Sequence, residues 1–178
     1  MRPLTLVSAL TAALAVLPLT LASAQQEAPP LPLGSKAPAF HTTSLSGKPL
    51  SLTALRGHVV LLDYWATWCG PCRMATPTLE SLHQKFGKRG LRVIGISVDD
   101  ASTVAQVPAF ARMMHMTYTL SASPQANSQA GRLYHANGIP AQYLIDKRGI
   151  VRWAQEGFDP SEGAKLSALI QKLLAEKA

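Results

Sequence analysis

Residues 58–72 read HVVLLDYWATWCGPC, and this stretch decides the fold. Its first eight residues form an apolar run rich in residues that favour strands, which is typical of a strand in the middle of a sheet with both faces covered. The chain then turns, and Pro71 falls in the first turn of the next helix, where its missing N–H group costs nothing. The stretch therefore predicts a buried strand, a short turn and a helix that begins at two cysteines.

Cys69 and Cys72 have the spacing of a redox-active pair. The chain has no other cysteine, and a disulfide that closes so short a loop removes little entropy from the unfolded chain, so it is a poor structural staple. Cys69 falls at the N-terminus of the predicted helix, where unpaired N–H groups and the helix dipole stabilise a thiolate, which makes it the expected nucleophile. Cys72 lies further into the helix, on its buried side, and is expected to resolve the mixed disulfide with a substrate.

The same spacing does not favour a zinc site. A closed structural zinc site needs four ligands, and the sequence has neither a second cysteine pair nor two closely spaced histidines. We therefore predict no metal and no other cofactor.

Asp63 interrupts the apolar strand ahead of the cysteines. A carboxylate at this position is expected to be desolvated, with a raised pKa, and to accept the proton of Cys72 directly or through water. The alternative is an aspartate near a strand end that reaches solvent or pairs with a lysine.

The rest of the sequence predicts an α/β domain with a mixed central sheet, helices on both faces and an N-terminal β-hairpin. Hydrophobic periodicity and turn residues predict the bounds of the elements, with Pro77 kinking the first helix and Pro108 disturbing the second. Besides the strand described above, strands are predicted over 39–43, 49–52, 91–97, 118–120, 141–145 and 150–154, and helices over 72–86, 103–114, 124–135 and 161–177.

The N-terminal segment indicates export. Arg2 precedes an apolar stretch that ends in the small residues 22–24, so residues 1–24 are predicted to be a signal peptide, with an uncleaved membrane anchor as the alternative. Residues 25–38 carry four prolines and are predicted to be an extended linker, which leaves 39–178 as one domain. The protein is therefore expected in the periplasm or another extracytoplasmic compartment.

The charge pattern does not indicate a nucleic-acid-binding surface. The chain has 17 Lys and Arg against 10 Asp and Glu, a net charge of +7 that falls to +6 without Arg2. The basic residues are scattered along the sequence rather than clustered, so nucleic-acid binding is not expected.

A family resemblance is carried by two stretches. The WCGPC motif after VVLLDYWAT resembles thioredoxin, and residues 34–62, GSKAPAFHTTSLSGKPLSLTALRGHVVLL, resemble the redoxin group of TlpA-like, ResA-like and CcmG-like proteins. The resemblance implies a thioredoxin fold and an exported thiol:disulfide oxidoreductase. Residues 99–129 exceed what thioredoxin would need and are similar to the helix-containing insertion of the TlpA-like group.

The resemblance also implies the substrate-binding residues. It places Ile139 and Pro140 in a cis-proline loop that faces the dithiol, with the Ile139 backbone pairing with an extended substrate segment. From the residues without the resemblance, an ordinary trans turn is the expectation. The remaining implied substrate contacts lie around the cysteines and are Trp68, Gly70 and Pro71.

The chain departs from its relatives at two positions. Ala75 stands where TlpA-like and ResA-like proteins often carry glutamate, and Asp63 stands where many of them carry asparagine. The acid–base role therefore falls to Asp63, as in thioredoxin.

The partners follow from the same resemblance. It implies a monomer that passes electrons from a membrane electron donor of the DsbD or CcdA type to exported cysteine proteins, such as apocytochrome c, a copper chaperone or an isomerase. Gly70 and Pro71 between the cysteines match the reducing thioredoxins, which favours reduction over oxidation of clients.

Two other functions stay open. A thiol peroxidase is suggested by the likeness of the upstream sequence to peroxiredoxins, although residues 63–68 lack the proline of a peroxidatic loop. A copper carrier or copper-site assembly protein is suggested by Met113, Met114, His115 and Met116, because thioether and imidazole ligands suit Cu(I). The alternative for these methionines is that they fill the core at a helix end.

Overall fold

A computed structural model describes residues 29–177 of the chain. The predicted signal peptide, residues 1–24, lies outside the described residues. Within 29–177, no helix is long and apolar enough to cross a membrane.

Strand β3, Val59–Trp65, is the strand predicted from the apolar run, and all seven of its residues are buried. It pairs in parallel with β4, Leu91–Ser97, and antiparallel with β6, Ala141–Ile145. The edges are β5, Thr119–Ser121, and β7, Val151–Glu156, which gives the order β5-β4-β3-β6-β7. The mixed central sheet is confirmed, and the two cysteines follow its middle strand.

Two hydrophobic clusters cover the two faces of this sheet. On one face pack α1, Gly70–Phe86, α2, Val107–Met113, and α4, Glu162–Ala175. On the other face pack α3, Pro124–Leu133, and the chain around the predicted N-terminal hairpin. The strands of that hairpin, β1 and β2, pair antiparallel over His41–Thr43 and Pro49–Ser51. Helices on both faces of a mixed sheet are the predicted architecture, and the chain has the thioredoxin-like fold.

The bounds of the first two helices differ from the prediction, and a proline lies in the first turn of each. Helix α1 begins at Gly70, two residues earlier than predicted, and continues through Pro77 to Phe86. Helix α2 begins only at Val107, after a 3-10 turn over Val104–Gln106, and Pro108 lies in its first turn. A proline is tolerated there because it lacks an N–H group, and the N–H groups of the first turn have no partner within the helix.

The end of the predicted linker packs against the sheet edge. Gly34 N–H donates to Val151 O at 2.8 Å, and Val151 N–H donates to Ser35 O at 2.9 Å. Ala37 is buried in the cluster on the hairpin side. The described part of the Pro-rich segment is therefore tied to β7 before the hairpin begins.

Candidate active site

Cys69 is the N-cap residue of α1. Its backbone is extended, with φ −82° and ψ 107°, and the Cys72 N–H group donates to its Sγ atom at 3.1 Å. A sulfur at this position receives both a backbone hydrogen bond and the positive end of the helix dipole. The geometry therefore favours a thiolate on Cys69 in the reduced protein.

The two cysteines form a disulfide in the structure, so their sulfur atoms represent the oxidised state of the dithiol. Both side chains are buried, with 5% of Cys69 and 3% of Cys72 exposed. The neighbouring Trp68 is 61% exposed, and Gly70 and Pro71 are exposed as well. The disulfide therefore lies just beneath an exposed surface that contains an aromatic side chain.

The loop before β6 lies against this disulfide. The Ile139–Pro140 peptide bond is cis, as the family resemblance implied. The Ile139 carbonyl oxygen is 3.7 Å from the Sγ atom of Cys69. The fold thus brings together two segments that are far apart in the sequence, while the role of Ile139 and Pro140 in substrate binding stays a prediction.

Asp63 lies in the middle of β3 and is 2% exposed. Gln142 on β6 donates its Nε2 hydrogen to Asp63 Oδ1 at 3.0 Å. Burial raises the pKa of Asp63 from 3.8 to about 7, although the hydrogen bond from Gln142 acts in the opposite direction. The predicted desolvated carboxyl group is present, and the alternative of an aspartate that reaches solvent or pairs with lysine does not describe it.

Asp63 faces the side of the sheet on which Cys72 is buried. Successive residues of a strand alternate between faces, and the two residues that flank Asp63 on its own face, Leu61 and Trp65, belong to one cluster with Cys72. A carboxyl group that changes its charge near pH 7 is suited to exchange a proton with a thiol. The proton-accepting role of Asp63 stays a prediction, and its placement is compatible with it.

Asp99 is a second buried carboxylate at this site, and the sequence analysis did not identify it. Its two oxygens accept hydrogen bonds from Thr67 N–H at 3.0 Å, Thr67 Oγ1 at 2.6 Å and Ser97 Oγ at 2.7 Å. Thr67 is in the turn that leads to Cys69. Asp99 therefore fixes the end of β4 to the loop that presents the nucleophile.

Arg73 links the same loop to α2. Its Nη2 group donates to Thr67 O at 3.0 Å, and its guanidinium lies 5.3 Å from the centre of the Phe110 ring. Phe110 in turn stacks on Trp65 with 5.3 Å between ring centres. The predicted insertion therefore packs against the residues that hold the dithiol.

The family follows from comparison with known proteins. A family model described as the AhpC/TSA family matches residues 33–154, well over half of the chain. The chain belongs to the AhpC/TSA family. Among its relatives, the thioredoxin-like protein YneN of Bacillus subtilis is 32% identical over 120 residues, covering 67% of this chain and 68% of the relative. The thiol-disulfide oxidoreductase ResA of Geobacillus thermodenitrificans is 32% identical over 120 residues, covering 67% of each chain.

Solved structures of similar proteins agree with this family. A Chlorobium tepidum protein assigned as the thiol:disulfide interchange protein DsbE superposes with a TM-score of 0.74 and 32% identity, covering 82% of this chain and 99% of that one. Together with the Cys69–Cys72 pair, these relatives make this AhpC/TSA family member a thiol-disulfide oxidoreductase of the TlpA-like, ResA-like and CcmG-like kind.

The two alternative functions are not favoured. The ResA and DsbE relatives are named for thiol-disulfide exchange, and none of the three proteins above is named as a peroxidase. Met113 is 61% exposed, whereas Met114 and Met116 pack against the core, as expected of core-filling methionines. Among residues 29–177, no group of three or more His, Cys, Asp or Glu side chains is arranged to hold a metal ion.

One groove of the structure is separate from the disulfide. It has a volume of about 830 Å³ and lies between the β1–β2 hairpin and α2. Neither the cysteines nor the predicted substrate contacts line it. The disulfide therefore lies beside the exposed Trp68 and outside this groove.

Proposed function

We propose that this AhpC/TSA family member reduces disulfide bonds of exported proteins through Cys69 and Cys72. The observation that carries the proposal is the placement of Cys69 Sγ, which receives the Cys72 N–H group at 3.1 Å and lies 3.7 Å from the Ile139 carbonyl oxygen. The nucleophile is thereby activated next to backbone that an extended substrate segment can pair with.

The first step is attack by the Cys69 thiolate on a substrate disulfide. A bond forms between Cys69 Sγ and one substrate sulfur, the substrate S–S bond breaks, and the second substrate sulfur leaves as a thiolate. The helix N-terminus stabilises the attacking thiolate. Trp68, Gly70 and Pro71, with Ile139 and Pro140 on the facing loop, form the surface for the substrate segment.

The second step is attack by Cys72 on the mixed disulfide. The Cys72 thiol first gives its proton to Asp63, directly or through water, and the resulting thiolate displaces the second substrate thiolate from Cys69. The product is the Cys69–Cys72 disulfide seen in the structure. The substrate has gained two electrons, and a membrane electron donor of the DsbD or CcdA type restores the dithiol.

The site of action is extracytoplasmic, with the protein working as a monomer after export by its predicted signal peptide. The clients are exported cysteine proteins, such as apocytochrome c, a copper chaperone or an isomerase. The direction of electron flow can be measured by titration against glutathione. We expect a potential near the thioredoxin value of about −270 mV, whereas a value above about −180 mV would make the protein an oxidant.

A trapping experiment tests the proposal. Cys72→Ser leaves the nucleophile but removes the resolving thiol, so a mixed disulfide with the physiological client should accumulate when the variant is expressed in its native host. Cys69→Ser is the matched control and should give no adduct. Adducts with Cys69→Ser and none with Cys72→Ser would exchange the two roles, and none with either variant would contradict the proposal.

A further inference from the structure

Three polar side chains form a row across the central sheet. Asp63 on β3 is paired in register with Gln142 on β6, and Gln142 is paired in register with Gln155 on the edge strand β7. Directly paired residues lie on the same face of a sheet, so all three are on the face that carries Cys72. The row leads from the buried middle of the sheet to its edge.

Gln142 is the hydrogen-bond partner of Asp63 within the described residues. On the other side of Asp63, the registered residue of β4 is Gly95, which has no side chain to offer. A Cβ atom on Gly95 would lie 2.6 Å from Leu120 and 2.9 Å from Trp65 Nε1, so a larger residue does not fit there. Among the described residues, the Asp63 carboxyl group therefore has one neutral amide as its side-chain hydrogen-bond partner.

A small cavity borders the Gln142 side chain. Its volume is about 20 Å³, and Gln142, Gln155 and Ala75 are among the residues that line it. A polar cavity needs only about 10–15 Å³ to hold one water molecule. Gln142 bonds Asp63 through its amide nitrogen, so a water in this cavity can bond the amide oxygen.

An amide differs from a cation or an apolar residue as the partner of a carboxyl group. Its nitrogen donates to an ionised carboxylate, and after a turn of the side chain its oxygen accepts from a protonated one. A lysine would favour the ionised form, and a leucine would bond neither form. We propose that Gln142 is a positioning residue that holds the Asp63 carboxyl group in both of its protonation states. This inference rests on the proposed role of Asp63 as the proton acceptor of Cys72.

Other titratable groups near Asp63 do not replace this partner. Cys72 is in the disulfide and does not titrate in the oxidised protein. Tyr118, which interacts electrostatically with Asp63, stays neutral because burial holds its pKa well above its ordinary value. The acids Asp159 and Glu162 line the cavity on the other side of Gln142.

The test is a pH titration of the oxidised protein by NMR. In the wild type, the carboxyl carbon of Asp63 should titrate near pH 7, and the side-chain amide signals of Gln142 should shift with the same midpoint, because the amide changes its bond when Asp63 gains a proton. Gln142→Leu removes the bonds to both forms, and the bond to the ionised form is the stronger of the two, so the Asp63 midpoint should rise by about one pH unit. Gln142→Met, which keeps the length of the side chain, should do the same and serves if the leucine variant does not fold.

Gln84→Leu is the matched control, because Gln84 bonds Glu80 and Thr117 on an exposed surface and does not touch Asp63. It should leave the Asp63 midpoint unchanged. A Gln142 that is merely structural would lower the free energy of unfolding without moving the Asp63 midpoint, and that result would overturn the proposal. The proposal would also be overturned if the side-chain amide signals of Gln142 did not change while Asp63 titrates.

The failure of this inference can be told from the failure of the proposed function. If Asp63→Asn slows resolution of the mixed disulfide but the Gln142 variants leave the Asp63 midpoint in place, only the role of Gln142 is lost. If Cys72→Ser traps no client, the exchange function is lost although Asp63 and Gln142 can still titrate together.

Discussion

Asp63 and Asp99 are two buried carboxylates beside the same dithiol, and their surroundings are opposite. Asp63 is 2% exposed and receives one hydrogen bond, from the amide of Gln142. Asp99 is 1% exposed and receives three, two from Thr67 and one from Ser97. One sits within a strand of apolar residues, and the other ties a strand end to the loop before Cys69.

The difference shows that burial does not by itself assign a role to a carboxylate. A buried carboxylate that lacks donors is destabilised in its charged form and is ready to take up a proton. A carboxylate whose oxygens accept several hydrogen bonds holds the donor groups in place, together with the chain segments that carry them. The difference therefore agrees with the proposed role of Asp63 in proton exchange, whereas Asp99 fixes the loop before Cys69.

The largest expected effect is on stability when Asp63 loses its charge. The pKa of Asp63 is about 7 in the folded protein against an ordinary value of 3.8. The folded protein thus keeps a proton that the unfolded chain releases, so its stability falls as pH rises across this interval. At about 1.4 kcal/mol per pH unit, the charge costs about 4 kcal/mol once the pH is above 7.

Asp63→Asn removes this cost while it keeps the shape of the side chain and an oxygen that accepts from Gln142. Oxidised variant and wild type should have similar free energies of unfolding below pH 4, and the variant should be more stable by about 4 kcal/mol above pH 7. Urea unfolding at a series of pH values measures the difference. A gain in the free energy of unfolding that does not depend on pH would show that the charge of Asp63 does not destabilise the folded protein.

The second prediction concerns Asp99, whose loss should lower the free energy of unfolding, whereas the loss of the Asp63 charge should raise it. Asp99→Ala leaves the Thr67 N–H and hydroxyl groups buried without a partner, so the free energy of unfolding should fall by about 3 kcal/mol. Asp100→Ala is the matched control, because Asp100 is exposed and, among the described residues, its side chain bonds only Ser102 and Thr103. The free energies of unfolding are measured in urea. An equal decrease in the two variants would show that Asp99 stabilises the fold no more than the exposed Asp100 does.

A smaller effect separates the side chain of Thr67 from its backbone. Thr67→Val keeps the backbone bond to Asp99 and removes the hydroxyl bond of 2.6 Å. It should cost about 2 kcal/mol in the free energy of unfolding and slow alkylation of Cys69 in the reduced protein, because the loop that presents the thiolate is held less firmly. Thr103→Val removes a longer hydroxyl bond to the exposed Asp100 and should change neither quantity. An unchanged alkylation rate in Thr67→Val would show that the bond to Asp99 stabilises the fold without affecting the reactivity of Cys69.

The comparison also shows what could be predicted from the sequence. The stretch from His58 to Cys72 predicted the central strand, the helix that follows it and the dithiol between them, because hydrophobic pattern and cysteine spacing are local. Asp63 was found because a charge in an apolar strand is conspicuous. The cis peptide bond before Pro140 came from family resemblance, since the residues themselves favour a trans turn.

The missed residues depend on contacts between distant parts of the chain. Thr67 and Asp99 are 32 positions apart, and Gln142 and Asp63 are 79 apart, so no local pattern pairs them. Gln142 carried a usable signal all the same, because it is a polar residue in the buried strand AQYLI, as Asp63 is in VVLLDYW. Polar residues within buried strands are therefore worth considering as possible partners of one another.

The most direct test of the account is a stopped-flow comparison of Asp63→Asn with the wild type. The two steps are followed separately with a model disulfide, as formation of the mixed disulfide by Cys69 and its resolution by Cys72. If Asp63 takes the proton of Cys72, the variant should form the mixed disulfide at the wild-type rate and resolve it at least ten times more slowly. General acid–base catalysis typically contributes about 10²–10⁴-fold, and water can replace part of the lost base. A resolution rate equal to that of the wild type would contradict the account and leave water as the proton acceptor.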